Sequence, residues 1–115
     1  MPFDRGEIVL VLFPNTDLRT AKRRPVLVVQ ASQLTTGLPQ TVVAMISSNL
    51  NRANHPSRVA LRKIDRGFPE SGLLTNSVIM TDNLATVREG EIAGIIGRLT
   101  DLRGRAAALR ATHRL

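Results

Sequence analysis

The residues best suited to chemistry in this 115-residue chain are basic and cluster before a proline. Arg19, Lys22, Arg23 and Arg24 lie in the segment P-N-T-D-L-R-T-A-K-R-R-P, in which Asp17 is the one acid. A guanidinium presents a planar fork of N–H donors that matches the oxygens of a phosphate. Proline disfavours helical geometry at the preceding residue, so we expect Arg24 at a stiff junction between a loop and a strand. Arg24 is the first candidate for contacting a phosphate. For Arg19, Lys22 and Arg23, an equally good interpretation is that they are solvent-exposed loop residues without a ligand.

A second candidate group lies at the end of an apolar run that reads A-M-I-S-S-N. The hydroxyl of Ser47 can donate a hydrogen bond to a phosphate oxygen, and Asn49 follows close behind it. Serine and asparagine are also common where a strand simply turns, so this pattern alone is weak.

Histidine is the usual acid or base near neutral pH, and the chain has two. His55 lies beside Pro56 in a polar segment that also holds Arg52, so it can approach an anionic ligand, while His113 lies near the end of the chain. Two separated histidines without a supporting pattern of carboxylates do not predict a metal site. The absence of Cys removes thiolate chemistry, and we expect no cofactor.

The elements that must position these residues are short, β-branched and bounded by Gly, Pro, Asn or Asp. Five runs are predicted to be strands buried on both faces, namely Ile8 to Phe13, Val26 to Val29, Thr41 to Ile46, Val59 to Leu61 and Ser77 to Met80. A terminal helix is predicted to begin at Thr100 or Asp101. The stretch from Glu89 to Ile96 is consistent with either a short helix or a strand with turns.

These elements predict one domain over residues 1–115, mainly β with a C-terminal helix, folded as a small SH3-like β-barrel. The three loops expected to carry function run from Pro14 to Arg24, from Gln30 to Gln40 and from Ser47 to Pro56.

Composition limits the classes of partner that such a domain is expected to bind. The net charge is +7 and most of the 16 basic residues are Arg, which favours a polyanion or an acidic protein as partner. Three Phe and no Tyr or Trp leave few platforms for base stacking, so any nucleic acid must be held through phosphates and polar groups. We find no bilayer-spanning run and no signal segment, so a cytoplasmic location without membrane contact is expected.

The sequence resembles a known family of toxins. R-G-E-I-V-L-V (5–11), the basic loop and R-P-V-L-V-V (24–29) are similar to the opening of MazF/PemK toxins. T-V-V-A-M-I-S-S-N (41–49), G-L-L-T-N-S-V-I-M-T-D-N-L-A-T-V (72–87) and I-I-G-R-L (95–99) resemble the family's later strands in order.

The resemblance implies the CcdB/PemK-like plasmid toxin fold, a homodimer and metal-independent cleavage of single-stranded RNA that leaves a 2′,3′-cyclic phosphate. It also implies an antitoxin, which we expect to be acidic. The family's catalytic residues fall on Arg24 and Ser47. RNA contacts are expected from Asp17, Arg19, Lys22, Arg23, Asn49, Arg52, His55 and Asp82.

Three positions depart from the family's pattern. Some members have a His in the first loop and this chain has none, the family's Thr is Ser47, and an Arg two residues before Asp82 is Met80 here. Asp82 can orient an Arg, touch a base edge or serve only as a turn residue. A barrel of the same fold that binds nucleic acid or protein without catalysis is the alternative reading.

Overall fold

The described part of the chain forms one antiparallel sheet. The structure is a computed structural model, and the residues it describes are 3–14, 21–30, 39–53 and 56–99. In these ranges the strand order is β4-β5-β3-β2-β1-β6. The strands are β1 Glu7–Pro14, β2 Ala21–Val28, β3 Gln40–Ser47, β4 Arg58–Leu61, β5 Ser77–Arg88 and β6 Ile92–Arg98. One helical turn, α1 Phe68–Ser71, and the 3-10 turns Leu50–Ala53 and Glu89–Glu91 join them.

The five predicted strands are present, and the mainly β fold class is confirmed. The stretch from Glu89 to Ile96 is a 3-10 turn followed by the start of a strand, so the helical alternative is wrong. The sheet is open among the described residues, because its edge strands β4 and β6 do not pair with each other. The predicted C-terminal helix and most of the Gln30–Gln40 loop lie outside the described residues.

The second strand differs from its prediction. It begins at Ala21, so Lys22, Arg23 and Arg24 are strand residues and not the end of a loop. Their backbones pair with Phe13, Leu12 and Val11 of β1. A charged side chain does not prevent this, because a strand needs only backbone partners and a place for its side chains in solvent. Arg24 is therefore held by strand pairing rather than at a junction.

Both faces of the sheet carry a buried apolar cluster, as the continuous apolar runs predict. Neighbouring residues of one strand point to opposite faces, so the pairs Ile8–Leu27 and Val9–Val26 belong to different clusters. The first cluster contains Ile8, Leu27, Val29, Ala44, Leu61, Leu73, Ile79 and Leu99. The second contains Val9, Val11, Val26, Val28, Val43 and Val87.

A bulge interrupts the pairing of β5 with β3. Met45 of β3 pairs with Met80, and the residue before it, Ala44, pairs with Leu84. The three residues of β5 between Met80 and Leu84 therefore have no partner on β3. Bulges of this kind re-aim side chains and are common next to functional sites.

The α1 turn packs with its backbone directly against β6. A Cβ at Gly97 would lie 2.3 Å from the carbonyl oxygen of Glu70. Gly72 ends the turn at φ +74°, and a Cβ there would lie 2.1 Å from the carbonyl oxygen of Ile96. This contact fixes the course of the segment that follows, Leu73 to Thr75.

No helix among the described residues is long and apolar enough to cross a membrane.

Candidate functional site

A cavity of about 690 Å³ opens where β2, the end of β3 and the segment after α1 meet. Part of its lining is apolar and comes from Leu10, Pro25, Ile46, Leu73 and Ile96. Around this apolar part lie the hydroxyl residues Ser47, Ser48, Thr75 and Ser77 and the amide of Asn83. The cavity is therefore large enough for a small ligand or part of a polymer, and its rim is polar.

The charges in this lining are all of one sign. Lys22, Arg23, Arg24 and Arg52 line the cavity, and its described lining contains no Asp, Glu or His. The three β2 cations are exposed, so their charges remain available to a ligand. A concave surface with several cations and no carboxylate attracts anions and rejects cations.

Arg24 lies on β2 opposite Val11 of β1, which is almost completely buried. The pairing of β2 with β1 holds Arg24, and two residues further along, at Val26, β2 also pairs with β3. Among the described residues, none forms a hydrogen bond or ion pair with its guanidinium. Its donors are thus free to meet a ligand's oxygens, and strand pairing supplies the stiffness that the sequence predicts.

Ser47 is the last residue of β3 and has a structural contact as well as a place in the cavity. Its Oγ accepts a hydrogen bond of 3.1 Å from the amide of Asn49. A hydroxyl has two acceptor lone pairs and one proton, so this contact leaves the proton available to donate into the cavity. The turn interpretation and the ligand-binding interpretation are therefore compatible.

Asn49 does not line the cavity. Its Oδ1 accepts a hydrogen bond of 3.1 Å from the amide of Asn51, which makes it part of the turn that carries Arg52. Arg52 does line the cavity, and its Nη1 lies 4.0 Å from the Sδ of Met80.

Asp82 is also outside the cavity lining, in the bulge of β5. Its two carboxylate oxygens accept hydrogen bonds from Arg58, at 3.2 Å from Nε and 3.1 Å from Nη2. Of the uses that the sequence left open for Asp82, the structure shows contact with an arginine.

The structure thus brings together five of the residues predicted from sequence: Lys22, Arg23, Arg24, Ser47 and Arg52. Asp17, Arg19 and His55 lie outside the described residues. Sequence reasoning missed Arg58 and Asn83. The segment T-D-N carries the signal for Asn83, but nothing in the sequence pairs Arg58 with Asp82, because that contact depends on the bulge.

No group of three or more His, Asp or Glu among the described residues is arranged to hold a metal ion. The cavity's donors are guanidinium, ammonium, hydroxyl and amide groups, which suit an anionic ligand.

Comparison with known proteins agrees with the sequence resemblance. Residues 4–108 match the family model described as PemK-like, MazF-like toxin of type II toxin–antitoxin system. A comparison with curated protein sequences gave no match.

Solved structures share the fold along nearly the whole chain. An endoribonuclease in complex with its cognate antitoxin from Mycobacterial species has a TM-score of 0.70 at 18% identity, covering 99% of this chain and 97% of that chain. The Mycobacterium tuberculosis toxin MazF-mt6 has a TM-score of 0.68 at 22% identity, covering 95% and 97%. A MazE–MazF structure from Deinococcus radiodurans has a TM-score of 0.66 at 16% identity, covering 97% and 89%.

Proposed function

Because the chain belongs to the PemK-like, MazF-like family of toxins of type II toxin–antitoxin systems, we propose that it is an endoribonuclease that cuts single-stranded RNA. The cavity beside Arg24 is the active site in this proposal. The observation that carries it is the grouping of four cations with hydroxyl groups and no carboxylate in one cavity. That grouping suits a phosphodiester, whose charge increases during cleavage.

The reaction uses the RNA's own 2′-hydroxyl. Its oxygen attacks the adjacent phosphorus as it loses its proton, the bond from phosphorus to the 5′ oxygen breaks, and that oxygen gains a proton. The products are a 2′,3′-cyclic phosphate and a 5′-hydroxyl. No external nucleophile is consumed, so the protein's task is to orient the RNA and stabilise a phosphorane with two negative charges.

Arg24 and Ser47 are the proposed catalytic residues. The guanidinium of Arg24 stays charged and offers two N–H donors to the non-bridging oxygens of the phosphorane. The Ser47 proton, which the turn contact with Asn49 leaves available, holds one of the same oxygens. Both groups lie on paired strands, which keeps their spacing fixed during the reaction.

The rest of the RNA is held mainly through its backbone. Lys22, Arg23 and Arg52 contact neighbouring phosphates from the cavity rim. Asn49 and the residues outside the described ranges, Asp17, Arg19 and His55, complete the RNA-binding set in this proposal. Affinity should therefore fall steeply as the salt concentration rises.

In the same proposal the protein is a cytoplasmic homodimer that an acidic antitoxin inhibits. The basis is family membership together with the net charge of +7, which an acidic segment complements. Light scattering of the purified protein tests the dimer.

The proposed activity is tested by incubating purified protein with a long RNA in EDTA and analysing the fragment ends. We expect discrete fragments with 5′-hydroxyl ends, which a ligase joins only after a kinase has phosphorylated them. RNA that is bound but uncut would indicate the non-catalytic barrel. Cleavage that EDTA abolishes would exclude the metal-independent mechanism.

A further inference from the structure

Arg52 is held at the cavity by Arg58, which no motif of the sequence indicates, and Arg58 is held in turn by Asp82. We propose that Asp82 and Arg58 act as positioning residues, which lock the turn bearing Arg52 so that its guanidinium meets a backbone phosphate of the RNA. This inference rests on the proposed function, since the phosphate is that of the RNA. Neither Asp82 nor Arg58 lines the cavity, so their effect must pass through Arg52.

All three nitrogens of the Arg58 guanidinium are used by the protein. Two of them bind the carboxylate of Asp82 at 3.2 and 3.1 Å, and Nη1 donates to the carbonyl oxygen of Arg52 at 3.1 Å. The two side chains of the ion pair are 27% and 32% exposed, so each is partly shielded from water. A charged, two-point contact of this kind fixes direction as well as distance.

The bulge in β5 makes this contact possible. It frees Asp82 from pairing with β3 and places it beside the start of β4. Thr81, the residue before Asp82, is bound to the turn that precedes β4, because its amide and its hydroxyl both donate to the carbonyl oxygen of Ser57. The backbone next to Asp82 is therefore held in place, and with it the carboxylate that binds Arg58.

Arg52 is in turn held from several sides. Its carbonyl accepts from Arg58, its amide donates to the carbonyl oxygen of Asn49 at 3.1 Å, and its Nη1 lies 4.0 Å from the Sδ of Met80. An arginine whose backbone is fixed loses less conformational entropy on binding a phosphate than one on a free loop. The expected benefit is in RNA affinity.

The arrangement also explains how an acidic residue can lie near a site for polyanions. Both oxygens of Asp82 accept from Arg58, whose positive charge offsets the carboxylate. Asp82 consequently repels a nearby phosphate less than an isolated carboxylate would.

Asp82→Asn removes one charge of the pair with little change in size, and it is the central test variant. We measure its affinity for RNA with 2′-O-methyl groups, which binds but has no 2′-hydroxyl to react. The Kd should rise roughly tenfold, as expected for weakening a charged hydrogen-bond network. In an Arg52→Ala background the same substitution should change the Kd by less than about twofold, because the residue it positions is gone.

Arg98→Gln is the matched control, since it breaks the ion pair between Arg98 and Glu7, which lies outside the cavity lining. It should leave RNA affinity unchanged. Equal losses from Asp82→Asn with and without Arg52 would overturn the proposal, because the effect would then not pass through Arg52.

Hydrogen exchange of the Arg52 amide separates this inference from the proposed function. Asp82→Asn should speed that exchange and Arg98→Gln should not. If exchange is unchanged in Asp82→Asn, the positioning role is wrong whatever the activity. If the wild-type protein neither binds nor cuts RNA, the proposed function is wrong, and this exchange measurement still decides whether Asp82 holds the turn.

Discussion

At the scale of single residues, Ser47 combines two tasks that mutation can separate. Its oxygen accepts from the Asn49 amide and thereby shapes the turn, while its proton is the part proposed to bind RNA. Asn49 and Arg52 both follow in that turn, so damage to it can mimic a loss of chemistry. A useful experiment must therefore measure folding and cleavage together.

Ser47→Ala should lower cleavage strongly, and Ser47→Thr should preserve it because the hydroxyl is retained. Loss of the turn hydrogen bond in Ser47→Ala should cost about 1 kcal/mol in the free energy of unfolding, measured by urea titration. Equal cleavage by the two variants, corrected for the folded fraction, would make Ser47 only a strand-end residue.

Residue types are the part of the site that the sequence predicts best. The R-R-P and S-S-N segments pointed to Arg24 and Ser47, and both line the cavity. The partner of Asp82 was not predictable, because Arg58 is 24 residues away in sequence and meets it only through the bulge of β5. Local patterns contain no information about where a long strand loses its register.

At the scale of elements, the contact between α1 and β6 sets the wall of the cavity. Leu73, Leu74 and Thr75 line the cavity directly after the turn, and the turn's backbone lies against Gly97. A single helical turn is not stable on its own, so the contact with β6 must stabilise the conformation of α1. The sequence predicts strands well because their apolar runs are buried, but it did not indicate α1, which is too short to show periodicity.

Gly97→Ala tests this contact. The new Cβ would meet backbone atoms 2.3 to 2.4 Å away, which cannot yield as a flexible side chain would, so α1 or β6 must shift. We expect the free energy of unfolding to fall by about 1–3 kcal/mol and RNA affinity to fall with it. Gly94→Ala is the matched control on the same strand, because its Cβ has nothing within 4 Å, and it should be neutral or slightly stabilising.

At the scale of the whole molecule, the net charge relates the proposed RNA substrate to the proposed antitoxin. A chain with a net charge of +7 attracts RNA, and an inhibitory protein can act by competing with RNA for the same basic surface. An extended acidic segment can imitate a run of phosphates while its apolar residues contact the apolar part of the cavity. The cations at the rim would then be shared by both ligands.

Reversal of two shared charges, Lys22→Glu with Arg23→Glu, should weaken both RNA cleavage and antitoxin binding, most strongly at low salt. Titration of each ligand across a range of salt concentrations measures the effect. Lys63→Glu with Arg66→Glu changes the net charge equally at exposed residues outside the cavity lining, and it should have a much smaller effect. Wild-type antitoxin affinity in the first variant would place inhibition at a separate surface.

The central claim is that the guanidinium of Arg24 stabilises the transition state of RNA cleavage in this cavity. Its most direct test compares the wild-type protein with Arg24→Ala on a long RNA in EDTA, with every new 5′ end mapped. Arg66→Ala is the control, since Arg66 is an exposed arginine outside the cavity lining. We predict the same discrete cleavage sites for wild type and Arg66→Ala, and a cleavage rate about 100- to 1,000-fold lower for a folded Arg24→Ala protein. Cleavage by Arg24→Ala at the wild-type rate and sites would contradict the account.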